Sequence, residues 1–101
     1  MAKLVVLYKH PPDPVAFERY YFSTHVPIAR KVPGLKNFEV SNGPIVSPQG
    51  TPYFFAVFMS FDSMSALDAG MRSPEGAAAA ADVANFAPAG ADVLIVDTKS
   101  V

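Results

Sequence analysis

One histidine, His25, stands inside the segment Phe17 to Val40, which reads FERYYFSTHVPIARKVPGLKNFEV. Imidazole is the side chain whose ordinary pKa lets it give or take a proton near neutral pH. At about 100° per residue from Phe17, Tyr21, His25, Ile28 and Val32 fall on one helical face, with Tyr20 and Thr24 at its other edge. Arg19, Ser23 and Arg30 fall opposite, on the solvent side. His25 therefore sits at the margin of an apolar face, beside Pro27, where a helix must bend and space can open. Two readings follow. In one, His25 shuttles a proton or anchors a ligand in a cavity. In the other, its ring satisfies a backbone group freed by Pro27 and holds the bend.

Tyr20 and Tyr21 point about 100° apart on a helix, so one packs while the other reaches a cavity or an interface. Tyr21 is the candidate catalytic partner of His25. The candidate ligand-binding set is Tyr20, Phe17, Tyr53, Asn85 and Phe86, with a helix-end hydrogen bond as the competing use of Asn85. Phe22 points away from the stripe. His10 precedes Pro11-Pro12 and reads as a solvated loop residue, too poorly placed to form a metal site with His25. Glu39 is the carboxylate nearest in sequence to the histidine region, but solvent is the better expectation for an edge strand. No serine–aspartate pair at recognisable spacing supports a hydrolytic triad.

The chain has 101 residues, half of them hydrophobic and 17% charged, which suits one domain with its own core. A formal net charge of −1 with no basic run gives no basis for capturing nucleic acid or anionic membrane. The absence of cysteine excludes disulfides, thiolate metal sites and cysteine nucleophiles. No apolar segment approaches the roughly 20 residues of a bilayer span. The opening MAKLVVLYKH lacks the apolar region and cleavage site of a signal peptide, so a cytoplasmic protein is expected.

The elements that must position these residues follow from periodicity and breakers. Lys3 to Lys9 is a strand, ended by two prolines. Asp13-Pro14 caps a helix to about Thr24, with a kink or break expected near His25 and Val26 and a further helical turn to about Val32. Pro33-Gly34 stops it. Strands follow over Leu35 to Ser41 and Tyr53 to Phe61, joined by the loop Gly43 to Pro52, which can cover a pocket mouth. Asp62 or Ser63 caps a short helix to Met71, Ser73-Pro74-Glu75 opens another to about Phe86, and Asp92 to Asp97 is the last strand.

This β-α-β-β-α-β order is the α+β ferredoxin-like arrangement of a four-stranded antiparallel sheet with its helices on one face. The first and third strands form the central pair. Both are apolar on both sides, whereas a sheet with one wet face alternates. The second face therefore calls for a partner, and a homodimer is the natural solution.

The pieces YYFSTHVPIARK, PGL at Pro33 to Leu35, SPEG at Ser73 to Gly76 and ADVANF at Ala81 to Phe86 resemble the EthD family of the dimeric α+β barrel superfamily, across nearly the whole chain. The resemblance implies a single EthD-like domain over residues 1–101, paired through its sheets into a dimeric barrel with a cavity in each subunit. It aligns the family's characteristic histidine with His25. The family takes its name from a protein associated with degradation of ethyl tert-butyl ether through an oxygenase system. Superfamily relatives include cofactor-independent monooxygenases, polyketide cyclases, dehydratases, lactone isomerases and haem-degrading enzymes. The resemblance thus implies a cofactor-independent oxidoreductase or lyase-type enzyme acting on an apolar or aromatic, oxygen-bearing compound. The alternatives are a non-catalytic accessory protein of an oxygenase-linked pathway and a haem binder using His25.

Overall fold

Four strands set the frame on which the helices are hung. In the computed structural model, which describes Met1–Val101, they are β1 (Ala2–Lys9), β2 (Asn37–Val40), β3 (Tyr53–Phe61) and β4 (Ala91–Asp97). They form one antiparallel sheet in the order β2-β3-β1-β4, so β1 and β3 are the central pair, as their two-sided hydrophobicity requires. Leu4 faces Met59 and Ile95, and Val5 faces Phe58 and Leu94, so the sheet has two distinct faces.

The helices lie over the face bearing Leu4, Tyr8, Phe55, Val57, Met59 and Phe61, all buried. They are α1 (Pro14–Tyr20), a π-helical segment (Tyr21–His25), α2 (Val26–Ala29), α3 (Met64–Arg72) and α4 (Pro74–Phe86). Asp13 caps α1 by accepting from the Ala16 N–H, and Pro14 occupies the first turn. Ser63 caps α3, and Ser73 both ends α3 and caps α4. Gly76 lets this tight corner close, and Gly70 lets α3 approach the turn after α2. A Cβ on Gly70 would lie 2.6 Å from the Pro33 carbonyl oxygen, and one on Gly76 would lie 2.6 Å from that of Met71.

The break expected near Val26 does not occur. The chain widens into a π-turn instead, with the Val26 N–H donating to the Tyr21 carbonyl. Proline kinks a helix because its ring meets the carbonyl four residues back. The wider turn just before Pro27 takes up that conflict, and the normal ladder resumes with Arg30 N–H on the Val26 carbonyl at 2.9 Å. Tyr21 and His25 both stay buried through the widened turn.

The other sheet face carries Val5, Leu7, Phe58, Leu94 and Val96. Leu94 and Val96 are about half exposed, and no helix covers them. β4 is apolar on its helix side as well, where Val93 and Ile95 remain exposed.

Candidate functional site

His25 is buried, and its only side-chain hydrogen bond ties Nδ1 to Asp82 Oδ2 at 2.8 Å. Asp82 comes from the middle of α4, whose buried residues Gly76, Ala79, Asp82 and Phe86 recur at helical spacing and face the sheet. A carboxylate on that stripe is costly unless its oxygens are satisfied. They are. Oδ1 accepts from the Tyr20 hydroxyl at 2.7 Å and from the Asn85 amide at 3.0 Å. Burial pushes the Asp82 carboxyl up, but the hydrogen bonds from Asn85, His25 and Tyr20 outweigh it and hold the group below its ordinary range. The same bond to Asp82 raises the Tyr20 hydroxyl.

Beside this network lies a cavity of about 300 Å³ between the sheet and α4. Twelve of the thirteen residues lining it are hydrophobic, and the thirteenth is His25. Leu4, Val6 and Met59 form the sheet wall, Ala29 and Val32 one end, and Ala79, Ala80 and Val83 the helix wall. Ala80 and Val93 are exposed, so the mouth lies between α4 and β4. Tyr8 on β1 supplies the second polar group of the lining. Burial, and then the Asp82 charge, drive its hydroxyl well above its ordinary value, so it is a donor and not a phenolate at neutral pH. No fully enclosed side-chain nitrogen or oxygen lacks a partner, so Nε2 of His25 and the Tyr8 hydroxyl, which hold no protein partner, open to the cavity.

The structure redistributes the residues singled out from the sequence. His25 lines the cavity. Tyr21 does not line the cavity. Its ring is 1% exposed and packs against Tyr8, Phe55 and Phe86 at 4.8 to 6.0 Å, and burial raises its hydroxyl far out of the neutral range. Phe17 and Phe86 are core aromatics. Phe86 touches the histidine ring at a centroid distance of 4.7 Å from behind. Tyr20 stacks on Phe86 and holds Asp82, while the Asn85 side chain donates to the Asp82 carboxylate and not to a helix-end carbonyl, so both support Asp82 without lining the cavity.

Tyr53 is displaced altogether. A bulge at the Tyr8/Lys9 position pairs Tyr53 with Lys9, and its hydroxyl donates to Asp92 at 2.6 Å across β1 on the open sheet face. It lines a separate, more polar pocket of about 460 Å³ under the loop from Gly43 to Thr51, with His10 and Glu18. Glu39 is exposed beside Asn37, as an edge strand implies. No group of three or more His, Cys, Asp or Glu is placed to hold a metal.

Asp82 and Tyr8 are the residues that sequence reasoning missed. The signal for Asp82 was present: a lone acid on the otherwise apolar Gly76–Ala79–Phe86 stripe, 57 residues from its histidine.

A model of the EthD domain matches residues 9–89. The chain belongs to the EthD family. An uncharacterised 11.0 kDa protein from the thcB–thcC intergenic region of Rhodococcus erythropolis is 38% identical over 103 residues, covering all of this chain and 98% of that one. An EthD family protein of Bacillus halodurans superposes with a TM-score of 0.88 at 35% identity, covering 98% of this chain and 99% of that one. More distant structures share the ferredoxin-like fold alone. A dimeric ferredoxin-like protein of unknown function from Thermobifida fusca has a TM-score of 0.70 at 19% identity, covering 96% and 90% of the two chains. SnoaB, a cofactor-independent oxygenase from Streptomyces nogalater, has a TM-score of 0.70 at 10% identity, covering 99% and 94%.

Proposed function

We propose that this EthD-family protein binds a neutral, apolar or aromatic compound bearing oxygen in the His25 cavity and transforms it without a cofactor, with His25 moving a proton. The observation that carries this reading is the composition of the lining, a wholly apolar wall broken only by Nε2 of His25 and the Tyr8 hydroxyl. Such a wall buries an apolar ligand, and two convergent polar groups fix its orientation. A proton-transfer group and a hydroxyl donor are the equipment of general acid–base chemistry on an oxygenated centre. Oxygenation by this route needs a substrate whose own carbanion reacts with oxygen. The fold-level likeness to a cofactor-independent oxygenase supports that class without naming a substrate.

The functional unit in this reading is a homodimer. The open sheet face is apolar from Val5 to Val96, and other proteins of this fold are dimeric. Closed two-fold dimers are the commonest way to cover such a face.

The deciding experiment is a native mass spectrum of protein purified gently from its own host, followed by turnover of any bound compound. A dimer near twice 10.8 kDa carrying a discrete small mass supports the reading. Conversion of that compound by the pure protein, lost on His25→Ala with the dimer intact, supports catalysis. Saturable binding with no product assigns a carrier role in an oxygenase-linked pathway instead, and turnover unchanged by His25→Ala removes His25 from the chemistry.

A further inference from the structure

We infer that Asp82, held by Tyr20 and Asn85, is a positioning residue that locks His25 in the Nδ1–H tautomer, so that the cavity presents a basic nitrogen selecting neutral compounds with a phenolic or enolic hydroxyl. This rests on the reading of the cavity as a small-molecule site and specifies its ligand.

The tautomer follows from hydrogen-bond direction. A tyrosine hydroxyl and an amide N–H both donate to Oδ1 of Asp82. The carboxyl is held ionised at neutral pH, so both its oxygens are acceptors only. The 2.8 Å contact from Oδ2 to His25 Nδ1 therefore needs the proton on Nδ1. In neutral imidazole the other nitrogen, Nε2, then carries a lone pair. Nε2 is the edge turned to the cavity.

Rotation cannot undo this arrangement easily. The side chain is 7% exposed and packed against Phe86, at 4.7 Å, and Tyr21, at 5.2 Å. Asp82 is itself tied to residues on two helices, Tyr20 on α1 and Asn85 on α4. Such outer hydrogen bonds set the tautomer and basicity of a working imidazole.

The ligand class follows from what the cavity offers. An acceptor nitrogen in an apolar enclosure rewards a ligand O–H and rejects a molecule of the same shape without one. No Lys or Arg lines the cavity, so a carboxylate or phosphate would be buried without a counter-ion. A hydroxyl at Nε2 can pass its proton to that nitrogen. The O–H bond breaks and an N–H bond forms, leaving an oxyanion and an imidazolium whose Nδ1–H remains on Asp82. The Tyr8 hydroxyl donates to the oxyanion, and the proton returns when the oxygen is reprotonated.

The test is ¹⁵N NMR of histidine-labelled protein at about pH 8, with 2-naphthol, naphthalene and 2-naphthoate as probes. The expected wild-type spectrum has a protonated Nδ1 and a pyridine-like Nε2 for His25. In Asp82→Asn the new amide keeps its oxygen on Tyr20 and Asn85 and turns its N–H to Nδ1, so the pattern inverts. Tyr20→Phe keeps the wild-type pattern, which separates a specific carboxylate effect from general loosening, and it serves if Asp82→Asn does not fold. 2-Naphthol should bind about tenfold more tightly than naphthalene, shift Nε2, and lose that preference in Asp82→Asn, while 2-naphthoate binds most weakly. A wild-type Nε2–H or averaged pattern, or equal affinity for 2-naphthol and naphthalene, overturns the inference. An Nδ1–H pattern with no saturable binding of any probe instead removes the small-molecule reading beneath it, and the ligand assignment falls with it.

Discussion

The His25 imidazole and the Asp82 carboxylate, 57 residues apart in the chain, meet at 2.8 Å with each side chain 7% exposed. A buried pair of this kind is costly to break from one side, because the remaining partner is left unsatisfied. Asp82→Ala also strips Tyr20 and Asn85 of their acceptor. The expected loss is about 1–3 kcal/mol, read by urea denaturation.

The same carboxylate makes stability depend on acid. Its folded-state pKa lies below the ordinary value of 3.8, so the unfolded chain takes up the proton more readily. Stability from this group is fully present above that ordinary value and is lost as pH falls towards and through the folded-state value. Wild-type protein should therefore lose more unfolding free energy than Asp82→Asn when the buffer is taken from about pH 6 to about pH 3. Parallel losses in the two proteins would show that other carboxylates carry the acid sensitivity.

Gly70 lets α3 lie against the Pro33 carbonyl, and Gly76 closes the corner between α3 and α4, each against backbone atoms that cannot swing aside as a side chain can. Gly70→Ala and Gly76→Ala should each destabilise by about 1–3 kcal/mol despite the better helix propensity of alanine. Thermal unfolding measures this directly, and a neutral or raised Tm in either variant would mean that site has room its geometry denies.

Ala80 stands exposed at the cavity mouth, on the far side of α4 from the aromatic core. Ala80→Phe should narrow the entrance and weaken 2-naphthol binding at least tenfold, with stability changed by no more than about 0.5 kcal/mol, as is usual for a surface position. Fluorescence titration beside a melting curve separates the two effects. Unaltered affinity would place the entrance elsewhere.

Leu94 points out of the open sheet face next to Val5 and is 53% exposed. Leu94→Asp places a charge where the dimer reading puts a dry interface, so native mass spectrometry should show a shift from dimer to the 10.8 kDa chain. A persistent dimer would move the interface away from this face.

Much of the frame was legible in residue order. Two-sided apolar strands over Lys3 to Lys9 and Tyr53 to Phe61 forced the central β1–β3 pair, and Asp13, Ser63 and Ser73 marked helix starts through their hydroxyl or carboxylate caps. The inward face of His25 was legible as well, because helical periodicity survives a single widened turn. Local pattern could not reveal how that turn is built. Pro27 demanded a disturbance but did not choose between a break and a π-turn, a choice made by the packing of Tyr21 and His25 against the sheet.

What chain order determined, then, was the set of elements, their polarity and the one imidazole turned inward, since these depend on spacing between near neighbours. Tertiary structure decided the chemistry of that imidazole. Asp82 reaches His25 only because α4 folds back beside the π-turn, and the β-bulge between Tyr53 and Phe55 sends that tyrosine to the opposite sheet face. Tyr8, an ordinary strand residue by sequence, becomes a cavity hydroxyl because its strand lies at the centre of the sheet beneath the helices. Hydrogen-bond partners and tautomers are fixed by which atoms meet in space, and no periodicity along a single chain carries that information.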